Sequence, residues 1–203
     1  IARELVKAFH HHPVAALQLL DASGLLEVTM PELEKMKNCP QPKQFHDEGD
    51  VWQHTILALT KLEAKEFHRE FPPTGDHPKG DKISDEVIWA LLFHDLGKPY
   101  TMTVTDRIRF NGHDVKSAHL FREAAGRLRL FSAGLNTAIV EQIIAKHMLL
   151  AQGTVANMKA TTLEKYFFND QFPGHELRQV FFADISATVP ASGQPDFSTY
   201  REL

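Results

Sequence analysis

The adjacent pair His94 and Asp95 has the side chains best suited to chemistry in this sequence. The pair follows an apolar stretch, Ala90–Phe93, and the helix breakers Gly97 and Pro99 come soon after it. An imidazole and a carboxylate side by side suit a divalent transition metal. Burying both groups without a partner would cost free energy. The pattern therefore indicates a metal site at the end of an apolar helix.

Four other residues have metal-ligating side chains within or beside apolar helical patterns. Each is expected on a different helix, and a helical bundle can bring such side chains together in its core. Taken singly, a histidine could be a hydrogen-bonded core residue, and the aspartate could be a cap or a partner of Arg178. Taken together, they favour a ligand set, because five helices would otherwise each bury a polar group for an unrelated reason. The four residues are His54, His113, His147 and Asp184.

These candidates provide ligands for one or two metal ions. One ion would bind His54, His94, Asp95 and Asp184, and a second would share Asp95 and add the other two histidines. Mn, Fe, Ni, Co, Zn and Mg all remain open as the metal. Two ions roughly 3.5–4 Å apart would share a water, lower its pKa and clamp a phosphate. Lys98 could neutralise phosphate charge and so act with Asp95 in catalysis, or it could be a solvated lysine at a helix end.

Nearly all the elements that must position these residues are expected to be helices, because apolar residues recur at helical spacing. Alternation around Thr105-Asp106-Arg107 predicts a small β-hairpin over Thr101–Phe110. Loops are expected at Cys39–Gly49 and Phe71–Lys82, and a turn at 151–153. The predicted helices are Glu4–His11, Pro13 to near Gly24, Met30–Lys37 after a Thr29 N-cap, Val51–His68, one from Ser84 to the His94-Asp95 pair, His113–Leu130, Thr137–Leu150 capped by Asn136, a short one opening at Thr161 or Thr162, and Glu176–Thr188.

Length and composition favour one all-α domain with small appendages. The chain has 203 residues, 43% of them hydrophobic and 24% charged, which is enough for one good-sized core. We expect an N-terminal helical segment over 1–44, a metal-binding domain over 45–190 and a loose tail over 191–203. No apolar run approaches 18 residues, so no membrane span or membrane partner is expected. Ile1–Val6 does not resemble a signal peptide.

Cysteine, charge and histidine content narrow the function further. The lone Cys39 allows no disulfide within the chain, which fits a reducing, cytoplasmic location, and it has no obvious base to make it a nucleophile. A net charge of −4 argues against tight polynucleotide binding. Arg122, Arg127 and Arg129 could still form a local basic patch, or simply a solvated helix face. Histidine is over-represented, with 12 residues, and the run His10–His12 is interpreted as native and structural.

The ligand pattern resembles that of the HD superfamily of metal-dependent phosphohydrolases, whose members carry a spaced histidine, His-Asp and aspartate set. His54, His94-Asp95 and Asp184 match that set in order, and the other two histidines fall where dinuclear members add theirs. The chain is more closely similar to the HD domain of bacterial tRNA nucleotidyltransferases, over most of residues 1–190. The segments that carry this similarity are Leu25–Leu33, Phe45–Thr55, Phe93–Pro99, Arg107–Phe110 and Gly112-His113.

This resemblance implies an HD-type helical bundle with phosphatase or 2′,3′-cyclic phosphodiesterase activity. The paired aspartates and Gly-Ser motif of the nucleotidyltransferase head are absent from this sequence, so we expect the chain not to add nucleotides by itself. The expected function is a metal-dependent phosphohydrolase of phosphate esters, nucleotides or 2′,3′-cyclic nucleotides in particular. The alternative is a non-catalytic domain that binds tRNA or acts as a scaffold. A metal-dependent oxygenase is a third interpretation that nothing in the sequence favours, and the oligomeric state stays open.

Overall fold

The apolar helical patterns of the sequence fold into a bundle of α-helices in the computed structural model of the chain, which describes residues 1–72, 83–150 and 155–203. Two short 3-10 helices, Leu130–Ala133 and Val155–Asn157, interrupt the connections. The all-α prediction is confirmed. The α-helices are α1 (Ala2–His11), α2 (Pro13–Ala22), α3 (Leu25–Thr29), α4 (Pro31–Glu34), α5 (Val51–Lys61), α6 (Lys65–Glu70), α7 (Asp85–Phe93), α8 (Lys98–Thr101), α9 (His113–Leu128), α10 (Thr137–Ile144), α11 (Ala160–Phe167), α12 (Gly174–Ala187) and α13 (Ser198–Arg201).

Helix α7 is the central element of the bundle. Every residue from Val87 to Phe93 is buried, and the hydroxyl of Ser84 caps the helix by accepting from the backbone N–H of Val87 at 3.3 Å. A helix that is apolar all round must be covered on all sides, and α1, α5, α9, α10 and α12 pack around it. Because α7 is central, its carboxyl end brings the following two residues into the interior of the bundle.

Helix α5 starts at a well-defined point because of a capping box. Asp50 accepts from the backbone N–H of Gln53 at 2.9 Å, and the Gln53 side chain accepts from the Asp50 N–H at 3.0 Å. Asp50 also accepts from the N–H of Asn38 at 2.7 Å, which ties the preceding loop to the helix. Such caps stabilise a helix by about 1 kcal/mol. The cap fixes the position of His54, which lies one turn into α5.

The predicted hairpin is present as two short antiparallel strands, β1 (Thr103–Val104) and β2 (Ile108–Arg109). Thr103 pairs with Arg109, and Val104 pairs with Ile108. The hairpin lies between α8 and α9, so it connects the turn after α7 to the start of the next long helix.

Two long helices end earlier than their apolar patterns predict. The pattern over 51–68 breaks after Lys61, and a turn separates α5 from α6 while both Leu62 and Phe67 stay buried. The pattern over 137–150 ends as a helix at Ile144, and turns continue to residue 150. In both places the helix ends although buried apolar residues continue along the sequence. The packing of the core, and not the periodicity of the sequence, therefore sets the end of each helix.

The helix predicted over 30–37 is also shorter in the structure, and the prediction of Thr29 as its N-cap is wrong. Thr29 is the last residue of α3 and donates its hydroxyl to the carbonyl of Leu25 at 2.7 Å, and Met30 takes the N-cap position of α4. Helix α9 ends at Leu128 and not at residue 130, because Arg129 adopts a left-handed conformation with φ 56°. Gly97 and Pro99 do not simply terminate α7, since they begin the short helix α8.

The tail over 191–203, expected to be loose, packs against the bundle. Helix α13 lies within it, Tyr200 is buried, and Phe197 and Leu203 contact the core. The apolar spacing is too short to predict this helix, but the aromatic rings find partners on Phe182 of α12. The N-terminal helices contribute Leu5, Val6 and Phe9 to the same core. The division of the chain at residue 45 stays a prediction.

Two expectations fall on parts of the chain that lie outside the described residues. The loop over 71–82 is described only at Phe71 and Pro72, and the turn at 151–153 is not described. Among the residues that the structure does describe, we find no helix with the length and apolar character needed to cross a membrane.

Candidate metal centre

Six side chains from five parts of the bundle meet beyond the carboxyl end of α7. Their ligand atoms form two groups of three, and within each group all the atoms lie within 4.8 Å of one another. The first group is His54 on α5, His94 in the turn after α7, and Asp184 on α12. The second group is Asp95 in the turn after α7, His113 at the first position of α9, and His147 in the turn after α10. The structure thus brings together all six ligands predicted from the sequence.

Asp95, a member of the second group, also faces the first group. One of its carboxylate oxygens lies near the histidines of each group. Oδ1 is 3.3 Å from Nε2 of His113 and 3.7 Å from Nε2 of His147. Oδ2 is 3.3 Å from Nε2 of His94 and 3.9 Å from Nε2 of His54. A carboxylate placed in this way can bridge two ions, one in each group.

Asp184 is the most solvent-exposed ligand of the cluster. Its side chain is 22% exposed, whereas that of Asp95 is 2% exposed. Its Oδ1 lies 2.8 Å from Nε2 of His54 and 3.6 Å from Nε2 of His94. The alternative partner Arg178 lies 3.7 Å from Glu70 instead. Asp184 therefore belongs to the cluster and lies on its most exposed side.

Three of the four histidines are oriented by the same local contact. The Nδ1–H of each ring donates to a backbone carbonyl three residues earlier in the chain. This bond fixes a proton on Nδ1 and directs Nε2 at the cluster, as outer partners of metal-ligating histidines do. The bonds are His94 to Leu91 at 2.7 Å, His113 to Phe110 at 2.8 Å and His147 to Ile144 at 2.7 Å.

The donor atoms of the cluster fit a metal ion. The Nε2 atoms of His113 and His147 are 3.2 Å apart. Because both rings donate through Nδ1, two lone pairs face each other across this distance, and a proton or a metal ion is needed to relieve their repulsion. Nε2 of His94 is also buried without a hydrogen-bond partner. Imidazole nitrogens and carboxylate oxygens together are a donor set for a divalent first-row ion.

The charges of the cluster stabilise one another although burial opposes them. Burial disfavours the imidazolium of His94, but Asp95 and Asp184 outweigh it and raise the pKa of His94 to about 10. Burial likewise opposes the ionised carboxyls, yet the neighbouring cations hold the pKa of Asp95 and of Asp184 well below the usual range. Burial and the nearby histidines lower the pKa of His147. That ring stays neutral, so its lone pair is free to bind a metal ion.

Lys98 is buried beside the cluster and is not the solvated lysine of the alternative interpretation. Its Nζ lies 2.7 Å from Oδ2 of Asp95 and donates to Oε1 of Gln41 at 2.7 Å. The same Nζ is 5.5 Å from the centre of the Phe110 ring. A cation with these partners is held in one place. Lys98 thus provides a fixed positive charge at the carboxylate that lies between the two groups.

A close backbone contact at Gly97 sets the distance between the turn after α7 and the start of α9. The Gly97 N–H donates to the hydroxyl of Ser117 at 2.7 Å. A Cβ at position 97 would lie 2.2 Å from the carbonyl oxygen of His113 and 2.8 Å from the backbone nitrogen of Ser117. Only glycine allows this approach. It brings His113 within reach of Asp95.

Sequence reasoning missed two residues next to the cluster, Glu48 and His46. Glu48 accepts hydrogen bonds from His54 and from His46. Burial opposes its ionised form, but these bonds and two backbone bonds, one of them from Val189, lower the pKa of Glu48 to about 2. Both residues belong to the segment Phe45–Thr55 that carries the resemblance, so a signal was present. The direction of a loop side chain does not follow from spacing, and neither contact could be predicted.

Comparisons with known proteins agree with this geometry. Residues 51–184 match the model of the HD domain family. The chain is 30% identical over 164 residues to the "Multifunctional CCA protein" of Azoarcus sp. (strain BH72), covering 81% of this chain and 34% of that protein. It is 32% identical over 152 residues to the "A-adding tRNA nucleotidyltransferase" of Deinococcus radiodurans, covering 72% of this chain and 31% of that protein.

A third relative is the "Multifunctional CCA protein" of Actinobacillus pleuropneumoniae serotype 5b (strain L20), 32% identical over 129 residues, which are 63% of this chain and 28% of that protein. The chain spans about a third of the length of the curated relatives it matches. The family match begins at Val51 and ends at Asp184, so it includes all six residues of the cluster. The matched part makes up more than half of the sequence, and the chain belongs to the HD domain family.

Proposed function

We propose that this chain is a metal-dependent phosphohydrolase that acts on phosphate esters, in particular nucleotides or 2′,3′-cyclic nucleotides. The observation that supports this most is the position of Asp95, with one oxygen toward each group of ligands. Divalent ions bound there, whether Mn, Fe, Ni, Co, Zn or Mg, would activate a water and compensate phosphate charge.

The residues of the chain would hold and orient the reacting groups. The first group would hold one ion and the second group the other, with Asp95 between them. The fixed Nδ1–H bonds keep the ligand nitrogens in place, so little reorganisation is needed when charge develops. Lys98 reduces the electrostatic cost of bringing an anionic phosphate close to Asp95. The ester would enter on the side of Asp184, where the cluster is most exposed.

The test is hydrolysis by protein that has been stripped of metal and reloaded with each of the six ions. Substrates would be 4-nitrophenyl phosphate, nucleoside 3′- and 5′-monophosphates, and 2′,3′-cyclic AMP. We expect metal-dependent turnover, and Asp95→Asn should lower kcat/KM at least about 100-fold, because a bridging ligand should matter at least as much as an outer partner. Asp170→Asn, a matched change at an exposed position, should leave turnover unaltered. Metal-loaded wild-type protein without activity on the whole panel would refute the proposal.

The second candidate is a non-catalytic domain that binds tRNA, and the similarity to the A-adding tRNA nucleotidyltransferase of Deinococcus radiodurans favours it. In this case tRNA affinity would survive chelation of the metal and fall steeply with salt. The charge distribution weighs against it, since Arg122 pairs with Glu141 and Arg127 pairs with Glu32. Measuring tRNA binding with and without chelator in the same preparation separates the two functions.

A further inference from the structure

One carboxylate outside the ligand set contacts three donors at once. Oε1 of Glu48 accepts from Nδ1 of His54 and from Nδ1 of His46, each at 2.7 Å. Oε2 accepts from the backbone N–H of Val189 at 3.0 Å. The Glu48 side chain is only 4% exposed. A buried carboxylate with donors on both oxygens is held in a single orientation.

His54 needs such a partner because it lacks the contact that orients the other three histidines. Those rings lie at a helix start or in turns, where a carbonyl three residues earlier accepts from Nδ1. His54 lies inside α5, where backbone carbonyls are already used by the helix. Its Nδ1 therefore depends on a side chain, and Glu48 supplies that acceptor.

We propose that Glu48 is a positioning residue for the first group of ligands. Its carboxylate accepts the Nδ1–H of His54, so that Nε2 is directed at Asp184, where a bound ion would take the place of the second ring proton. Through Val189 it also holds the chain five residues after Asp184, where the N–H of Asp47 donates to the Val189 carbonyl at 2.8 Å. One loop thus fixes two ligands that lie on different helices. This role concerns metal binding and does not depend on the proposed reaction.

His46 is the outer member of the hydrogen-bonded set His46, Glu48 and His54. Its side chain is 16% exposed and lines a cavity of about 440 Å³. Because Glu48 holds His54 directly, removing His46 should weaken metal binding much less than removing the carboxylate. An opposing possibility is that His46, Glu48 and His54 hold an additional ion among them, since their ligand atoms also lie within 4.8 Å of one another. The number of ions bound per chain separates such an additional site from a hydrogen-bonding role of Glu48.

The test is calorimetric titration of metal-free protein with Mn²⁺ and Zn²⁺. Glu48→Gln keeps the size of the side chain and removes its charge. We expect it to weaken one binding step 10–100-fold, as mutation of an outer partner typically does, and to leave any second step within about threefold. Glu27→Gln, the same change at an exposed position, is the matched control and should change neither step, and His46→Gln should have a smaller effect than Glu48→Gln. If only one ion binds to the wild type, that single step should weaken.

Several results would overturn the inference. Equal weakening of both steps would indicate general loss of structure, and no weakening would show that Glu48 does not position a ligand. A third ion per chain that is lost in Glu48→Gln would make Glu48 a ligand. Should that variant fail to fold, ¹⁵N NMR of the zinc-loaded wild type decides, because the inference requires the His54 proton on Nδ1 and fails if it is on Nε2. Wild-type protein that binds metal but hydrolyses nothing would refute the phosphohydrolase proposal and leave this result intact.

Discussion

At the scale of single residues, the types of the ligands could be predicted from the sequence but their orientation could not. His94-Asp95 is unusual in apolar surroundings, and this alone marks the pair, whereas Asp184 stands out only together with the other candidates. Which ring nitrogen faces the centre depends on carbonyls exposed where helices start or end, and those ends are poorly defined by periodicity. The partner of His54 comes from a loop, where spacing carries no information on direction. The identity of the ligands could therefore be predicted from the sequence, but the orientation of their side chains could not.

Lys98 leads to a prediction about the stability of the metal-free protein. Lys98→Met removes the cation that lies 2.7 Å from the buried Oδ2 of Asp95 and keeps an unbranched chain of similar length. Breaking a buried pair on one side typically costs about 3–5 kcal/mol. We expect a loss of this size in the free energy of unfolding without metal, and a smaller loss with metal, because bound ions compensate Asp95. Urea denaturation measures both.

The control for this change is Lys35→Met, because Lys35 is exposed. Its effect should stay within about 0.5 kcal/mol, as for an ordinary surface substitution. Equal losses for Lys98→Met with and without metal would show that no ion shares Asp95 with this lysine.

At the scale of elements, the sequence predicts which segments are helical but not where they turn. The interior of α7 is apolar throughout, and its N-cap Ser84 is confirmed. The breaks after Lys61 and Ile144 occur inside apolar patterns, because the core can accept the residues that follow without continuing the helix. The second of these breaks creates the turn that carries His147. The site is thus built partly from the helix ends that are hardest to predict.

Gly97 supports a prediction about the approach of α9 to the turn after α7. In Gly97→Ala the new methyl group would meet the backbone of His113 and Ser117, which cannot move aside as a flexible side chain could. The start of α9 must shift, and His113 moves away from Asp95. We expect affinity at the second group of ligands to fall about 10-fold or more, measured by metal titration. Gly126→Ala, with open space around its Cβ, should bind metal normally and gain about 0.5–1 kcal/mol of stability.

At the scale of the whole molecule, the last residues of the chain complete the core. Tyr200 is buried among aromatic rings, and its hydroxyl donates to Glu70 at 2.9 Å. Helix α12 carries Phe182, which contacts this tail, and also Asp184 of the cluster. The tail was expected to be loose, and residues 191–203 show no periodic apolar pattern. Its aromatic residues gain their partners only from the tertiary structure.

Tyr200 gives a pH-dependent prediction. Burial first, and then the hydrogen bond to Glu70, raise the pKa of Tyr200 to about 12. The unfolded chain ionises its tyrosines near pH 10. The folded state therefore favours the neutral phenol, and the stability that it contributes is lost as the pH rises from about 10 to 12.

Absorbance at 295 nm, recorded for the wild type and for Tyr200→Phe, isolates this ionisation among the three tyrosines. The difference between the two titrations should have its midpoint near pH 12. A midpoint near pH 10 would mean that the tail is not packed in solution.

If Asp95 binds both ions, as the proposed centre requires, the two ion-binding events are interdependent. An ion on one oxygen weakens the attraction of the carboxylate for a second cation, but it also fixes the rotation that the second ion requires. The occupancy of each group then depends on the other, and thermodynamic reciprocity makes the influence equal in both directions. In the proposed centre, the partly loaded and the fully loaded protein would therefore be chemically distinct species, and their proportions would follow the metal concentration.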